Sequence, residues 1–319
     1  MASDSASAHD GVEDITSGPG PVEVGGTTVR PVKVNNCLVR FMRYPDVKAV
    51  NLVTSYYLSD RALFRWRLSV LLYISWATGM QMYQFFQTSA EKEWNITSPV
   101  DYYMYLTNWC FSFVWLHFLL SMLASGYRLA ANLAGNPLSD WADSATIVES
   151  YHGTVTYTIY IISLFLSQFV TIAFWMDAIR KSIREEPSEL GRVHALFICV
   201  NVHGLQSLVI LVEYVLLNKI RLEWSHAFLA FVPILCYMPV NMFYTLVRGT
   251  APYDQSFWKE ARRTWDSVGG TLLVLTIVYL AFMLVGSVRR RFNEPDTDKL
   301  DDDGTTDTPG GETAPDNAV

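Results

Sequence analysis

The feature that most constrains this chain is a series of apolar runs that recur through its middle, each long enough to cross a bilayer. A helix of about 20 apolar residues spans the roughly 30 Å hydrocarbon core. Charged residues concentrate instead in the two tails and in short connectors between the runs. The pattern predicts an all-α, polytopic integral membrane protein with six transmembrane helices in one bundle.

The predicted transmembrane domain covers residues 66–290, with three further segments around it. Residues 36–65 mix basic and aromatic side chains and are expected to form a membrane-proximal interfacial segment. Residues 1–35 have too little apolar content to fold, and residues 291–319 are acidic, so both tails are predicted to be disordered. The six helices are predicted at Trp66–Phe86, Tyr103–Ala124, Thr154–Met176, Val193–Leu217, Ser225–Val247 and Val268–Val288.

The basic residues that flank the helices favour a cytoplasmic location for both tails, which an even number of spans places on one side. The residues concerned are Lys48, Arg61, Arg65, Arg67, Lys219, Arg221, Arg289, Arg290 and Arg291. The sequon Asn95-Ile-Thr97 in the first connector would then be lumenal or extracellular. Because no cleavable signal peptide precedes the first helix, that helix is expected to target the chain to an endomembrane or to the plasma membrane.

Composition and spacing argue against several other classes of protein. The formal charge of -7 comes mainly from the tails and indicates no nucleic-acid partner. The four cysteines show no zinc spacing, so neither a metal site nor a disulfide framework is expected. A di-haem site would need histidine pairs at matched depths on facing helices. His117, His194 and His203 lack a fourth such partner, so no cofactor is expected.

Two ionisable residues, His203 and Glu213, lie inside the fourth apolar run. A charge at the centre of a membrane helix costs roughly 2.5 kcal/mol or more, so such residues are read as functional and as facing the bundle interior. Glu213 lies ten residues beyond His203, about 15 Å along a helix, and is too far away to orient the imidazole. It is expected near the cytoplasmic end, paired with Lys219 or Arg221.

Thr107, about one turn inside the second helix, is the predicted catalytic partner of His203. A hydroxyl needs an adjacent base to remove its proton as it attacks a carbonyl, and a neutral imidazole is such a base. The second and fourth helices run in the same direction, which places both residues in the lumenal half. Asn108 and Asn201 are candidates to stabilise an oxyanion or to orient His203. Both amides could equally form hydrogen bonds between helices.

The segments Tyr105-Leu-Thr-Asn-Trp109 and Asn201-Val-His-Gly-Leu-Gln-Ser207 resemble motifs of the androgen-induced protein family. Their residues are more similar to those of its rolling stone-like branch. The resemblance covers roughly residues 60–290. It implies a multi-pass threonine hydrolase that cleaves fatty acid esters of hydroxy fatty acids, with Thr107 as nucleophile and His203 as base. The rolling stone-like branch implies instead a role in muscle-cell fusion.

Three functions therefore follow from the sequence. The first is an intramembrane lipid ester hydrolase whose substrate lies within the bilayer. The second is a non-catalytic membrane protein in adhesion, fusion or scaffolding. The third is a small transporter, which would require polar residues along the full depth of one helix face, and the run between Gln206 and Glu213 does not supply them.

Overall fold

The computed structural model describes residues 22–24, 27–29, 47–91, 102–135, 151–175, 196, 200–249 and 261–293. Within these ranges the chain forms six long helices, and the prediction of an all-α bundle is confirmed. Two three-residue strands, β1 (Val22–Val24) and β2 (Thr27–Val29), pair antiparallel inside the segment predicted to be disordered. The sequon at Asn95 and residues 294–319 of the acidic tail lie outside the described residues, while the first three residues predicted for that tail, 291–293, are helical.

The helices follow the predicted order, with shifted ends. They are α1 (Asp60–Glu91), α2 (Leu106–Leu133), α3 (Tyr151–Ala173), α4 (Val200–Leu217), α5 (Ala227–Arg248) and α6 (Ala261–Asn293). Helix α1 begins six residues before the predicted start at Trp66, so part of the predicted interfacial segment is helical. A 3-10 helix at Ala49–Leu52 precedes α1, and a 3-10 turn at Trp224–His226 leads into α5.

Helix α4 changes its hydrogen-bonding pattern twice along its length. Its first part, Val200–Leu205, is a π-helix, its middle, Gln206–Val212, is an α-helix, and its last part, Glu213–Leu217, is again a π-helix. π-Helical turns are rare and occur frequently at functional sites. The first π-helical turn carries His203 and the second begins at Glu213, the two ionisable residues that the sequence singles out.

Five of the described helices, α2 to α6, are long and apolar enough to cross a membrane. Helix α1 is also long enough, but it carries Arg61, Arg65 and Arg67 near its start. Large apolar side chains are exposed along α5 and α6, among them Phe243 and Leu284. A bilayer covers such surfaces, and the chain is therefore an integral membrane protein.

Hydrogen bonds between α1 and α2 show that these helices are antiparallel. At one end the Asp60 carboxylate accepts a hydrogen bond from Arg128 Nε at 3.3 Å. At the other end Gln81 Nε2 donates to Asn108 Oδ1 at 2.7 Å. The end of the bundle at which α1 begins and α6 ends is called the tail side below.

Helices α3 and α4 are antiparallel in the same way. The Thr171 hydroxyl donates to the main-chain carbonyl of His203 near one end of the pair. Near the tail side, Asn218 Nδ2 donates to the Tyr160 hydroxyl at 2.7 Å.

The contacts of α1 with α4 show the direction of α4 relative to α2. The Tyr73 hydroxyl donates to Asn201 Oδ1, and Arg67 Nε donates to Glu213 Oε1 at 2.8 Å. Helix α4 is therefore antiparallel to α1, as α2 is. It follows that α2 and α4 run parallel, as the sequence predicted for the helices of Thr107 and His203.

Candidate functional site

Thr107 is the second residue of α2 and only 8% of its surface is exposed. The turn before it reaches deep into the bundle, because the Tyr237 hydroxyl donates to the Met104 carbonyl at 2.7 Å. Tyr237 lies near the middle of α5, roughly 15 Å from either end of that helix. The proposed nucleophile is thus buried among helices, three residues after a main-chain carbonyl that contacts the middle of α5.

Asn108 and Trp109, the two residues after Thr107, form side-chain hydrogen bonds with the turn that precedes α2. Asn108 Nδ2 donates to the Tyr102 carbonyl at 2.6 Å, and Trp109 Nε1 donates to the Tyr103 carbonyl at 2.6 Å. Each side chain reaches back six residues to a carbonyl that precedes the helix. These bonds fix the start of α2 and therefore the direction of the Thr107 side chain.

The two predicted amides both form hydrogen bonds between helices. Asn108 Oδ1 accepts from Gln81 on α1, in addition to the bond that Asn108 donates to the turn. Asn201 Oδ1 accepts from Tyr73, also on α1. The observed contacts of both amides are therefore those of a structural role between helices. Their role in catalysis stays a prediction.

His203 lies in the first π-helical turn of α4, half-buried against the end of α3. Its ring stacks on the Phe174 ring, with centroids 3.6 Å apart and planes 5° from parallel. Its main-chain carbonyl accepts the hydrogen bond from Thr171. Among the described residues, no group is hydrogen-bonded to its buried Nδ1. The imidazole is therefore held by stacking, and its Nδ1 is buried without a hydrogen-bond partner among the described residues.

A contact one turn away brings the two helices together beside Thr107 and His203. The Cys110 thiol donates to Gln206 Oε1 at 3.6 Å, and each of these residues lies three positions after the candidate on its own helix. Because α2 and α4 run parallel, the turns carrying Thr107 and His203 are neighbours. Within the described part of the chain, no hydrogen bond joins the Thr107 hydroxyl to the imidazole, so the pairing itself stays a prediction.

No family model, curated protein or solved structure matches this chain. The likeness to the androgen-induced protein family therefore rests on the sequence motifs alone. The hydrolase activity, the lipid substrate and the roles of Thr107 and His203 are predictions.

Glu213 is not paired with Lys219 or Arg221, and that prediction is wrong. Its carboxylate is fully buried and accepts hydrogen bonds from Arg67 on α1, at 2.8 Å from Nε and 2.5 Å from one terminal nitrogen. Trp66 Nε1 donates to its other oxygen at 3.1 Å. A buried carboxylate requires such a partner, and Arg67, two turns inside α1, reaches it while the residues at the tail-side surface do not.

Arg67 also joins α2 to this ion pair, forming what is called here the tail-side cluster: Arg67, His117, Ser121, Ser125 and Glu213. The guanidinium donates to the Ser121 carbonyl at 3.2 Å and to the Ser125 hydroxyl at 2.5 Å. His117 Nδ1 is hydrogen-bonded to the Ser121 hydroxyl at 3.2 Å. All five residues are at most 2% exposed. The cluster ties three helices together at the tail side.

An apolar layer separates the tail-side cluster from the turns of Thr107 and His203. On α2, two turns separate Cys110 from His117, about 10 Å along the helix. Ser163 lies within this layer, and its hydroxyl donates a hydrogen bond to the Ile159 carbonyl of its own helix. The buried apolar side chains between the two regions include Phe111, Val114, Leu164 and Ile210, and the buried Ser167 and Ser207 lie at the edge next to Gln206. The interior thus contains two separate polar regions.

The remaining histidines and cysteines form no further reactive group in the described ranges. His226 is fully buried, accepts a hydrogen bond from the main-chain N–H of Glu223 and is hydrogen-bonded to the Tyr157 hydroxyl. Cys110 is buried and Cys236 is exposed. No three metal-binding side chains come together in the part of the chain that the structure describes.

Proposed function

We propose that this protein is an intramembrane lipid ester hydrolase in which Thr107 is the nucleophile and His203 is the general base. The observation that carries the proposal is the contact between Cys110 and Gln206, which places the turns of the two candidates side by side on parallel helices. The nearly parallel stacking of His203 on Phe174 supports it, because a proton acceptor must hold a fixed ring plane.

The reaction would proceed in two steps. The His203 imidazole takes the proton of the Thr107 hydroxyl as its oxygen attacks the ester carbonyl, and the imidazolium then protonates the departing alcohol. In the second step His203 takes a proton from water as the water oxygen attacks the acyl-threonine, and the imidazolium returns that proton to the Thr107 oxygen as the bond to the acyl group breaks and the fatty acid leaves. Hydrolysis therefore needs no redox partner, and water is the only co-reactant.

The negative charge that develops on the carbonyl oxygen also needs a donor. Thr107 lies in the first turn of α2, where main-chain N–H groups face the helix start and the helix dipole favours an anion. Asn108 keeps its amide bonds to the turn and to α1. We assign the stabilisation of this charge to the positive end of the α2 dipole and a positioning role to Asn108.

The substrate class follows from the depth of the site. Because Thr107 lies among helices and near the middle of α5 in depth, an ester that partitions into the bilayer would meet it directly. The resemblance adds fatty acid esters of hydroxy fatty acids as the specific candidates. With both tails in the cytoplasm, water would reach the site from the lumenal or extracellular side.

Labelling with a fluorophosphonate that reacts with serine and threonine nucleophiles tests the proposal. The wild type should be labelled, while Thr107→Ala and His203→Ala should lose labelling and ester hydrolysis. Thr276→Ala is a matched control, since that hydroxyl bonds only its own helix at the carbonyl of Leu272 and faces outward on α6. It should label as the wild type does.

An unlabelled wild type that hydrolyses no lipid ester would contradict the proposal, as would full labelling of Thr107→Ala. That result would leave the non-catalytic role in adhesion, fusion or scaffolding as the better explanation. Transport is disfavoured by the apolar layer, which separates the two polar regions along the bundle axis.

A further inference from the structure

A buried amide on α4, that of Gln206, has a hydrogen-bond donor without a partner. Gln206 is 1% exposed, and among the described residues no group accepts a hydrogen bond from its Nε2. Most buried polar groups in folded proteins are paired, because a buried donor without an acceptor costs free energy. Such an exception is expected to have a use, and catalysis is one of the known uses.

A second glutamine in the interior, Gln168 on α3, has a partner for its amide nitrogen. Its Nε2 donates to the main-chain carbonyl of Ser207 at 2.9 Å. The Ser207 hydroxyl in turn donates to the Ser167 carbonyl at 2.7 Å. The polar groups between α3 and α4 thus form hydrogen bonds with one another, whereas Gln206 extends towards α2.

The contact with Cys110 shows where the Gln206 amide lies. The Cys110 thiol donates to Gln206 Oε1 at 3.6 Å, so the carboxamide occupies the space between α2 and α4. Cys110 follows Thr107 by three residues, and residues at this spacing share one face of a helix. Gln206 follows His203 by the same spacing. The oxygen is used by the thiol, and the nitrogen lies about one turn from both proposed catalytic residues.

Two unpartnered polar atoms therefore lie on neighbouring turns of α4: Nδ1 of His203 and Nε2 of Gln206. An imidazole nitrogen can take up a proton, whereas an amide nitrogen can only donate a hydrogen bond. Attack of a hydroxyl on an ester needs one group of each kind, a base for the proton and a donor for the carbonyl oxygen. The two atoms match these needs.

We propose that Gln206 Nε2 donates a hydrogen bond to the carbonyl oxygen of the ester as negative charge develops on that oxygen. The inference rests on the proposed function, because it requires Thr107 as the nucleophile. The amide keeps its proton, so His203 carries out every proton transfer of the reaction. The α2 dipole provides a field that favours the charge, and Gln206 adds a directed donor.

Kinetics of Gln206→Met, with the purified full-length chain in detergent micelles, test the inference. The probes are a palmitoyl ester of a hydroxystearic acid and its thionoester, in which sulfur, a weaker acceptor, replaces the carbonyl oxygen. On the ester, kcat should fall about a hundredfold while KM changes little, because the bond is made in the transition state. On the thionoester the loss should be about tenfold or less, so the ratio of the two kcat values should fall about tenfold.

Stability separates a catalytic donor from an amide that only holds helices together. Gln206→Met keeps the length of the side chain and removes an unpartnered buried donor, so it should unfold at the same or a higher fraction of denaturing detergent than the wild type. Gln168→Met is the matched control, because the amide it removes is bonded to the Ser207 carbonyl. It should unfold at a lower fraction and keep the wild-type ratio of the two kcat values.

The outcomes distinguish this inference from the proposed function. If the wild type hydrolyses the ester and Gln206→Met keeps the wild-type ratio of kcat values, the inference is overturned and the Thr107 nucleophile is not. An equal fall of the ratio in Gln168→Met would also overturn it, because the loss would then come from packing. A wild type that hydrolyses neither probe would contradict the proposed function, and the inference with it.

Discussion

Replacing Arg67 by methionine tests whether the buried ion pair holds the bundle together. The substitution keeps an unbranched side chain of similar length but removes every donor that Arg67 offers. Glu213, which is fully buried, then loses its bonds to Nε at 2.8 Å and to the terminal nitrogen at 2.5 Å. Its bond from Trp66 Nε1 at 3.1 Å remains.

The size of the effect follows from the burial of the remaining carboxylate. Removing one partner of a buried pair typically costs about 3–5 kcal/mol, because an uncompensated charge is left inside. Replacing both partners by apolar residues is often neutral or stabilising. Arg67→Met should therefore lower the free energy of unfolding by about 4 kcal/mol. Arg67→Met/Glu213→Leu should recover most of that loss, with a coupling energy of about 3 kcal/mol.

The free energy of unfolding would be measured in mixed micelles by titration with a denaturing detergent. Arg65→Met is the matched control, since Arg65 is exposed on the same helix and its replacement should change stability by no more than about 0.5 kcal/mol. If Arg67→Met were as stable as this control, or if the double variant lost the sum of the two single losses, the ion pair would not link the helices as described.

Two further predictions concern single contacts. Gly286→Ala should destabilise the bundle by about 1–3 kcal/mol, because the added methyl group would lie 2.6 Å from the Tyr214 hydroxyl. The control is Gly79→Ala, whose methyl group would meet no atom within 4 Å. It should be neutral or stabilising in the same unfolding titration. Phe174→Leu should slow the labelling of Thr107 at least tenfold by releasing the ring of His203, and unchanged labelling would show that the stacking does not position the base.

The spans were predictable because their signal is local. The backbone N–H and C=O groups of an apolar run that crosses a membrane must form their hydrogen bonds within the same helix. Helices α2 to α6 are therefore predicted from the sequence, and most of the helix ends that the structure describes lie within a few residues of the predicted ones. The start of α1 was not predicted. Residues Asp60 to Arg65 are polar enough to lie at an interface, and yet they continue the helix. The π-helical turns of α4 have no compositional signature and were not predicted.

The partners of the polar residues were less predictable because their contacts are distant in the chain. Sequence proximity favoured Lys219 or Arg221 for Glu213, whereas the observed partner, Arg67, lies 146 positions away. Arg67 was counted with the basic residues outside the membrane, and only the early start of α1 carries it inside. The parallel direction of α2 and α4, in contrast, follows from counting spans, and it correctly placed Thr107 and His203 on helices that contact each other.

The apolar layer between the two polar regions has a consequence for the electrical behaviour of the membrane. A resting potential is worth about 2.3 kcal/mol per elementary charge for each 100 mV, and it falls where the dielectric constant is lowest. In this bundle that place is the layer around Val114, Leu164 and Ile210. An ion that moved between the turns of Thr107 and His203 and the tail-side cluster would therefore have to cross this layer without polar partners, which is the costliest step of any such path.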